Sequence, residues 1–206
     1  MTDDSRDKRV LARRRSLNSI FDAFFELLQK QPLETITVSA LIRRSGVARS
    51  TFYRHFSSVL DVSDGYFRFL DEAFDEETGG NVDLHARDYF IKVFTIYQRI
   101  CDRLLIYEEA GLASRFLQSI AEHLINNLGD MPYSSPDRYE LHYYAGAIYC
   151  VAREWIASGM KETPEEMADL LLNGGSARSG RSGGARPAAT APGVSRPQPV
   201  LARIPA

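Results

Sequence analysis

Residues 34–56 read Glu34-Thr-Ile-Thr-Val-Ser-Ala-Leu-Ile-Arg-Arg-Ser-Gly-Val-Ala-Arg-Ser-Thr-Phe-Tyr-Arg-His-Phe56. Thr37 is placed to cap a short helix over 38–45, Gly46 supplies the left-handed residue that ends it, and a second short helix begins almost at once, from about Ala48 to His55. Two short helices around a tight Gly turn have the shape of a helix-turn-helix, which needs a small apolar core. Leu41, Ile42, Val47, Phe52 and Phe56 can supply it, because Phe52 and Phe56 stand one turn apart on one face of the second helix. Ser50, Thr51, Tyr53 and Arg54 then point away from that core. A face of small polar groups with one Tyr and Arg suits the major groove of DNA, where the early residues of such a helix reach base edges and flanking basic residues hold phosphates. Spacing alone is also compatible with two ordinary short helices that carry a solvated basic face.

On either side the chain is helical in pattern. Leu17, Ile20, Phe21, Phe24, Leu27 and Leu28 recur at helical spacing from about Lys8 to Lys30, and Pro32 follows the stop. Ser57 or Ser58 offers a cap for a fourth helix with a stripe through Leu60, Val62, Tyr66, Phe69, Leu70 and Phe74, ending at Gly79-Gly80. Two long patterns, about 84–107 and 112–128, read as buried helices. A loop over 129–136 precedes a helix from Asp137 to Ser158, and Thr163-Pro-Glu-Glu166 is a compact start signal for a last helix to about Asn173. No segment alternates as a strand does, so the fold class is all-α.

With 206 residues and a hydrophobic fraction of 44%, the chain can bury a core of one medium domain or two small ones. No run approaches the roughly 18 apolar residues of a membrane span, and the charged N-terminus has no signal-peptide pattern, so a cytoplasmic location is expected. Cys101 and Cys150 lie in apolar helical patterns and read as buried, reduced thiols. The net charge of −2 hides a segregation: residues 1–59 hold 11 Lys/Arg against 6 Asp/Glu, residues 60–173 hold 9 against 21, and residues 174–206 hold 5 against none. A basic first segment on an acidic body is expected if only that segment meets a polyanion. From Gly174 onward Gly, Ser, Ala, Pro and Arg dominate, so a disordered tail is expected, either idle or adding non-specific nucleic-acid affinity.

Thr37-Val38, Leu41, Ser45-Gly46-Val47, Thr51-Phe52-Tyr53 and Phe56, behind a long helix with its own Phe24-Phe25, resemble the TetR family. The resemblance implies a homodimeric regulator, usually a repressor, whose second short helix reads a palindromic operator and whose C-terminal domain senses a small molecule. It implies that Arg49, Ser50, Thr51 and Tyr53 contact bases or nearby backbone, and that Thr37, Arg54 and His55 lie on the phosphate side. Two positions depart from the pattern: Ala48 replaces a capping Ser, and Val59 stands where a phosphate-gripping Lys is usual. The implied organisation is a DNA-binding unit over 8–57 and a helical dimerisation and ligand-binding unit over 58–173.

The C-terminal end resembles one branch of that family through Tyr144-Ala-Gly-Ala-Ile-Tyr149, Arg153-Glu-Trp-Ile156, Gly159-Met160 and Thr163-Pro-Glu-Glu-Met-Ala168. In such proteins the last two helices pair with their symmetry mates, which implies a dimer interface at Ala145, Gly146, Tyr149 and Arg153; alternatively the Ala/Gly patch packs inside one subunit. A ligand pocket would lie among the middle helices, where Tyr97, Cys101, Tyr107, His123, His142 and Tyr143 add polar atoms to apolar surfaces, although each is also an ordinary core position. The four histidines and two cysteines show no tight ligand spacing, so no metal or other cofactor is expected. No nucleophile with a nearby base, phosphate-binding Gly loop or paired-carboxylate site rises above the helical background, which argues against an enzyme. The expected partners are double-stranded DNA, a second copy of the chain and a small-molecule effector, with an inducer-less helical protein-interaction module or DNA-bound cofactor as the rival reading.

Overall fold

Helix ends along the chain are set by side chains a few residues apart. The computed structural model describes residues 3–129 and 131–173, so the expected disordered tail over 174–206 lies outside the described residues. α1 (Asp3–Leu28) is followed by a single 3-10 turn at Leu33–Thr35. Thr37 caps α2 (Val38–Ser45), its Oγ1 accepting from the Ala40 N–H at 3.1 Å, and Gly46 ends it at φ 70°. α3 (Arg49–His55) starts without a side-chain cap because Ala48 has no oxygen to offer. Ser58 caps α4 (Val59–Thr78), accepting from the Asp61 N–H at 3.1 Å, while the Asp61 carboxylate accepts from the Ser57 N–H at 2.8 Å.

α5 (Arg87–Glu109) begins three residues later than its apolar pattern suggests. Asp83 bends the chain there, accepting from the His85 N–H at 2.9 Å, so Val82 and Leu84 enter the core from a loop. α6 (Ala113–Leu128) and α7 (Pro136–Ala157) follow, the latter capped by Ser135 with Pro136 at its first position. α8 (Pro164–Asn173) opens with a reciprocal box in which the Glu166 N–H donates to Thr163 Oγ1 at 3.2 Å and the Thr163 N–H to Glu166 Oε2 at 2.8 Å. The described residues form no strand.

The described residues form two apolar cores. The first gathers Phe21, Phe24 and Phe25 of α1, Leu41 of α2, and Phe52 and Phe56 around α3; it also takes Val62, Tyr66 and Phe67 from α4 and Ile106 and Tyr107 from the end of α5. Each fully buried large side chain contributes about 1.5–3 kcal/mol of transfer free energy, and the rings add edge-to-face contacts such as Phe25 to Tyr66 at 4.8 Å. The second core joins Phe74 of α4 to α5, α6, α7 and α8 through Phe90, Phe94, Leu124, Ile148, Trp155 and Ala168. α4 and α5 therefore run through both. α8 lies mainly along α5, where Arg87 donates to Asp169 at 2.6 and 2.9 Å.

Three expectations are corrected by this packing. Leu60, assigned to the buried stripe of α4, is exposed, and Phe67 takes that role because it faces Tyr107 and Phe116. Cys150 is exposed and Cys101 half-buried, since α7 turns its Cys150 face outward with Tyr139 and Tyr143. Ala145, expected at a subunit interface, is 1% exposed within the single chain and belongs to the second core.

Candidate nucleic-acid interface and ligand cavity

α3 divides its residues between core and solvent. Phe52 is fully buried, packing at 5.9 Å from Phe56, while the adjacent Tyr53 is 47% exposed. Arg49 lies one turn before Tyr53: its guanidinium sits 5.2 Å from the ring centroid and Nη2 donates to the Tyr53 hydroxyl at 3.3 Å. A cation held over an aromatic face loses less freedom on reaching a partner than a free side chain does. Ser50 and Arg54 are exposed, Thr51 is half-buried, and Thr37 is exposed while its oxygen is engaged as the α2 cap.

His55 is turned the other way. It is half-buried beside Arg13, Leu17 and Glu72, with Nε2 buried and without a hydrogen-bond partner. Burial first, then the cations of Arg54 and Arg13, hold its pKa below the ordinary imidazole value. The buried Nε2 faces α1 and α4, while the phosphate-side place that the resemblance implies for His55 would fall to the rest of the half-buried ring.

The basic surplus of the first segment is partly spent inside the molecule. Arg13 pairs with Glu72 at 3.1 Å, and Arg14 and Arg44 pair with Glu76 and Glu26. Arg43, Arg49 and Arg54 form no ion pair among the described residues. At the start of α4, Val59 is half-buried against the first core. Burial opposes ionisation of Asp61 there, but hydrogen bonds from the Ser57 N–H and hydroxyl and from Arg68 outweigh it and keep the carboxylate below its usual range.

Between α4, α5 and α6 lies an apolar cavity of about 80 Å³, walled by Phe74, Val93, Ile96, Tyr97, Phe116 and Ile120. It adjoins a polar vestibule of about 310 Å³ between α4 and α6, bordered by Asp64, Arg68, Arg115 and Glu122. Phe67, Asp71, Ser119 and His123 line both spaces. His123 Nδ1 stands 3.5 Å from Asp71 Oδ1, and burial holds the imidazole pKa below its ordinary value against the opposing pull of Asp75. Burial, then the charges of Asp75 and Glu122, raise Asp71 to about 7.

Of the six residues proposed from sequence for a ligand, Tyr97 and His123 line this cavity. Tyr107 belongs instead to the first core, donating to the Ser63 carbonyl at 2.8 Å, a bond that satisfies a hydroxyl otherwise stranded among aromatics. Cys101 packs at the edge of the second core without reaching the cavity wall. His142 and Tyr143 are exposed on the outer face of α7, Tyr143 at 69%, because α7 buries Leu141, Ala145 and Ile148 instead; this removes both from the cavity. Asp71 is not distinguished by the sequence alone, where it merges with the acidic end of α4. Its spacing from Phe67 and Phe74, four and three residues away, was the available signal that it shares their inward face.

Tyr149 and Arg153, expected at a subunit interface, are both anchored to Glu108 of their own chain. Arg153 pairs with it at 3.3 Å, and the Tyr149 hydroxyl donates to it, where burial and that carboxylate lift the phenol pKa to about 12. Gly146 remains open, since a methyl group built there meets nothing within 4 Å.

A family model described as bacterial regulatory proteins, tetR family, matches residues 20–58, and one described as transcriptional regulator C-terminal region matches residues 85–173. No curated protein sequence matches significantly. The fold is similar to a TetR transcriptional regulator from Streptococcus agalactiae 2603V, with 19% identity, TM-score 0.53, and coverage of 80% of this chain and 96% of that one. It is also similar to the dihydroxyacetone kinase operon activator DhaS, with 20% identity, TM-score 0.50, and coverage of 79% and 95%. The first family match spans the helix-turn-helix and the second covers α5 to α8; together they show that the chain belongs to the TetR family of transcriptional regulators.

Proposed function

We propose that the protein is a homodimeric repressor that binds a palindromic operator and releases it when a small molecule enters the cavity between α4, α5 and α6. The observation that carries the DNA-binding part is the division of α3, with Phe52 and Phe56 in the core and Arg49, Ser50, Tyr53 and Arg54 on the open face. Helices with such a face enter the major groove, and the residues early in the helix reach base edges. Thr37 and Thr51 flank that face. Residues 8–57 act as the DNA-binding unit and 58–173 as the dimerisation and sensing unit, with the start of α4 packed in the first core. The protein acts in the cytoplasm and is not an enzyme.

Dimerisation is assigned to the outer faces of α7 and α8. Tyr139, Tyr143 and Leu170 are large apolar side chains exposed there, and Gly146 leaves room for a close helix. The cavity favours an effector-responsive regulator over an inducer-less interaction module, because an apolar space edged by a few polar groups is the ordinary form of a small-molecule site.

Selection of bound sequences from random DNA tests the reading. The expected result is a two-fold symmetric consensus bound by a dimer. Enrichment of no sequence over random DNA refutes it.

A further inference from the structure

α4 carries five carboxylates between positions 71 and 77, and their partners divide them into two sets. Glu72, Glu76 and Glu77 face outward and are matched by Arg13, Arg14 and Arg99. Asp71 and Asp75, one turn apart, pair with no arginine or lysine among the described residues. The side chain that meets both is His123, whose Nε2 lies 4.0 Å from Asp75 Oδ1. The His123 side chain is only 9% exposed, and neither its Nε2 nor the buried Asp75 Oδ1 has a hydrogen-bond partner. The unpaired Nε2 belongs to a side chain that lines the cavity, and the unpaired Asp75 Oδ1 lies 4.0 Å from it, so both are buried polar atoms without a partner. Burial lowers the His123 pKa against the pull of Asp75, which disfavours the charged ring that would neutralise the acids.

We propose that the cavity takes an amphipathic organic cation: an ammonium group seated at Asp71 and His123, and a small apolar body, preferably aromatic, among Phe74, Tyr97 and Phe116. This rests on the reading of the cavity as the effector site and names the chemistry of its ligand. An ammonium supplies N–H donors to the Asp71 carboxylate and, with the ring proton on the Nδ1 that faces Asp71 at 3.5 Å, to His123 Nε2, and its charge offsets the repulsion among Asp71, Asp75 and Glu122. Aromatic walls add attraction for a cation at the mouth. An anion would meet those carboxylates with no cation to receive it, since Arg68 is committed to Asp61 at 3.0 Å and Arg115 to Asp64 at 2.7 Å. A neutral ligand would fill the apolar space without relieving the repulsion among Asp71, Asp75 and Glu122.

Three probes of one size separate these cases by calorimetry on the full chain: phenethylamine, phenethyl alcohol and phenylpropionate. The amine is expected to bind at least about tenfold more tightly than the alcohol, and the carboxylate more weakly than both. Asp71→Asn keeps the shape, removes the charge, and is expected to weaken the amine about tenfold while leaving the alcohol within about twofold. The alcohol also reports whether the variant's cavity is intact. Asp75→Asn provides a second variant, with a smaller loss for the amine alone. Alcohol or carboxylate binding as tightly as amine overturns the cation assignment and leaves the effector site standing, as does amine affinity unchanged in Asp71→Asn. Binding of none of the three at about millimolar concentration overturns both the cation assignment and the effector site.

Discussion

Replacing Phe52 and Tyr53 by alanine, one at a time, separates folding from recognition at adjacent residues. Phe52 is fully buried and packs between Phe56 and the ring of Tyr53, with centroids at 5.9 and 5.5 Å. Removing that ring leaves a cavity in the first core and costs about 3–5 kcal/mol. For a chain of this size the melting temperature falls by roughly 6–20 °C. Tyr53 is 47% exposed, and its loss removes the surface to which Arg49 is bound, worth about 0.5–1 kcal/mol at an exposed site. Its larger effect is on DNA, because the ring, the hydroxyl and the Arg49 orientation go together; operator affinity should fall by about 1–3 kcal/mol, or about 5–150-fold. Melting curves and fluorescence anisotropy on the selected operator give both quantities. Equal melting losses, or operator affinity unchanged in Tyr53→Ala, would refute the assignment of α3 as the recognition helix in this phase.

Gly146→Leu should leave the melting of the isolated subunit nearly unchanged, since nothing lies within 4 Å of the added carbon, but should weaken the dimer at sedimentation equilibrium; an unaltered dimer constant removes α7 from the interface. Gly65→Ala, which in an open helix would gain stability, should here cost about 1–3 kcal/mol, because its methyl group collides with the Phe56 ring wedged against Phe21 and Phe52. A melting temperature at or above the parent's would count against that packing. Asp71 titrates at about 7 in the fold and at 3.8 as a free carboxyl, so the folded state holds the proton more tightly and stability from this residue falls as pH rises from about 4 to 7. With 38% of the side chain exposed, solvent screening limits the effect to about 1–2 kcal/mol, and Asp71→Asn should be more stable than the parent at pH 8 but not at pH 4. Denaturant titrations at the two pH values that showed the same difference would exclude the preferential protonation of Asp71 in the fold.

Much of this protein was legible as sequence because its signals act within one helical turn. Thr37, Gly46, Ser58 and the Thr163–Glu166 box meet backbone groups three or four residues away, so spacing alone placed the ends of α2, α4 and α8. The phase of α3 was equally local, because an amphipathic helix with one apolar pair at i and i+4 has a single way to face a core. What lay beyond reach depends on contacts between distant segments. Tyr107 and His123 looked alike as polar atoms on apolar helices, yet Ser63, 44 positions away, completes the hydrogen bonds of one, while the other keeps an unpaired nitrogen at a cavity. Ala145 and Gly146 are neighbours in one small-residue patch, and only the position of α5 and α6 against α7 buries the first and leaves the second open. His55 faces inward because α1 and α4 converge beside it. Short-range hydrogen bonding and helical periodicity thus set the elements and their faces; which face meets core, cavity or partner was decided by long-range packing, which no local spacing encodes.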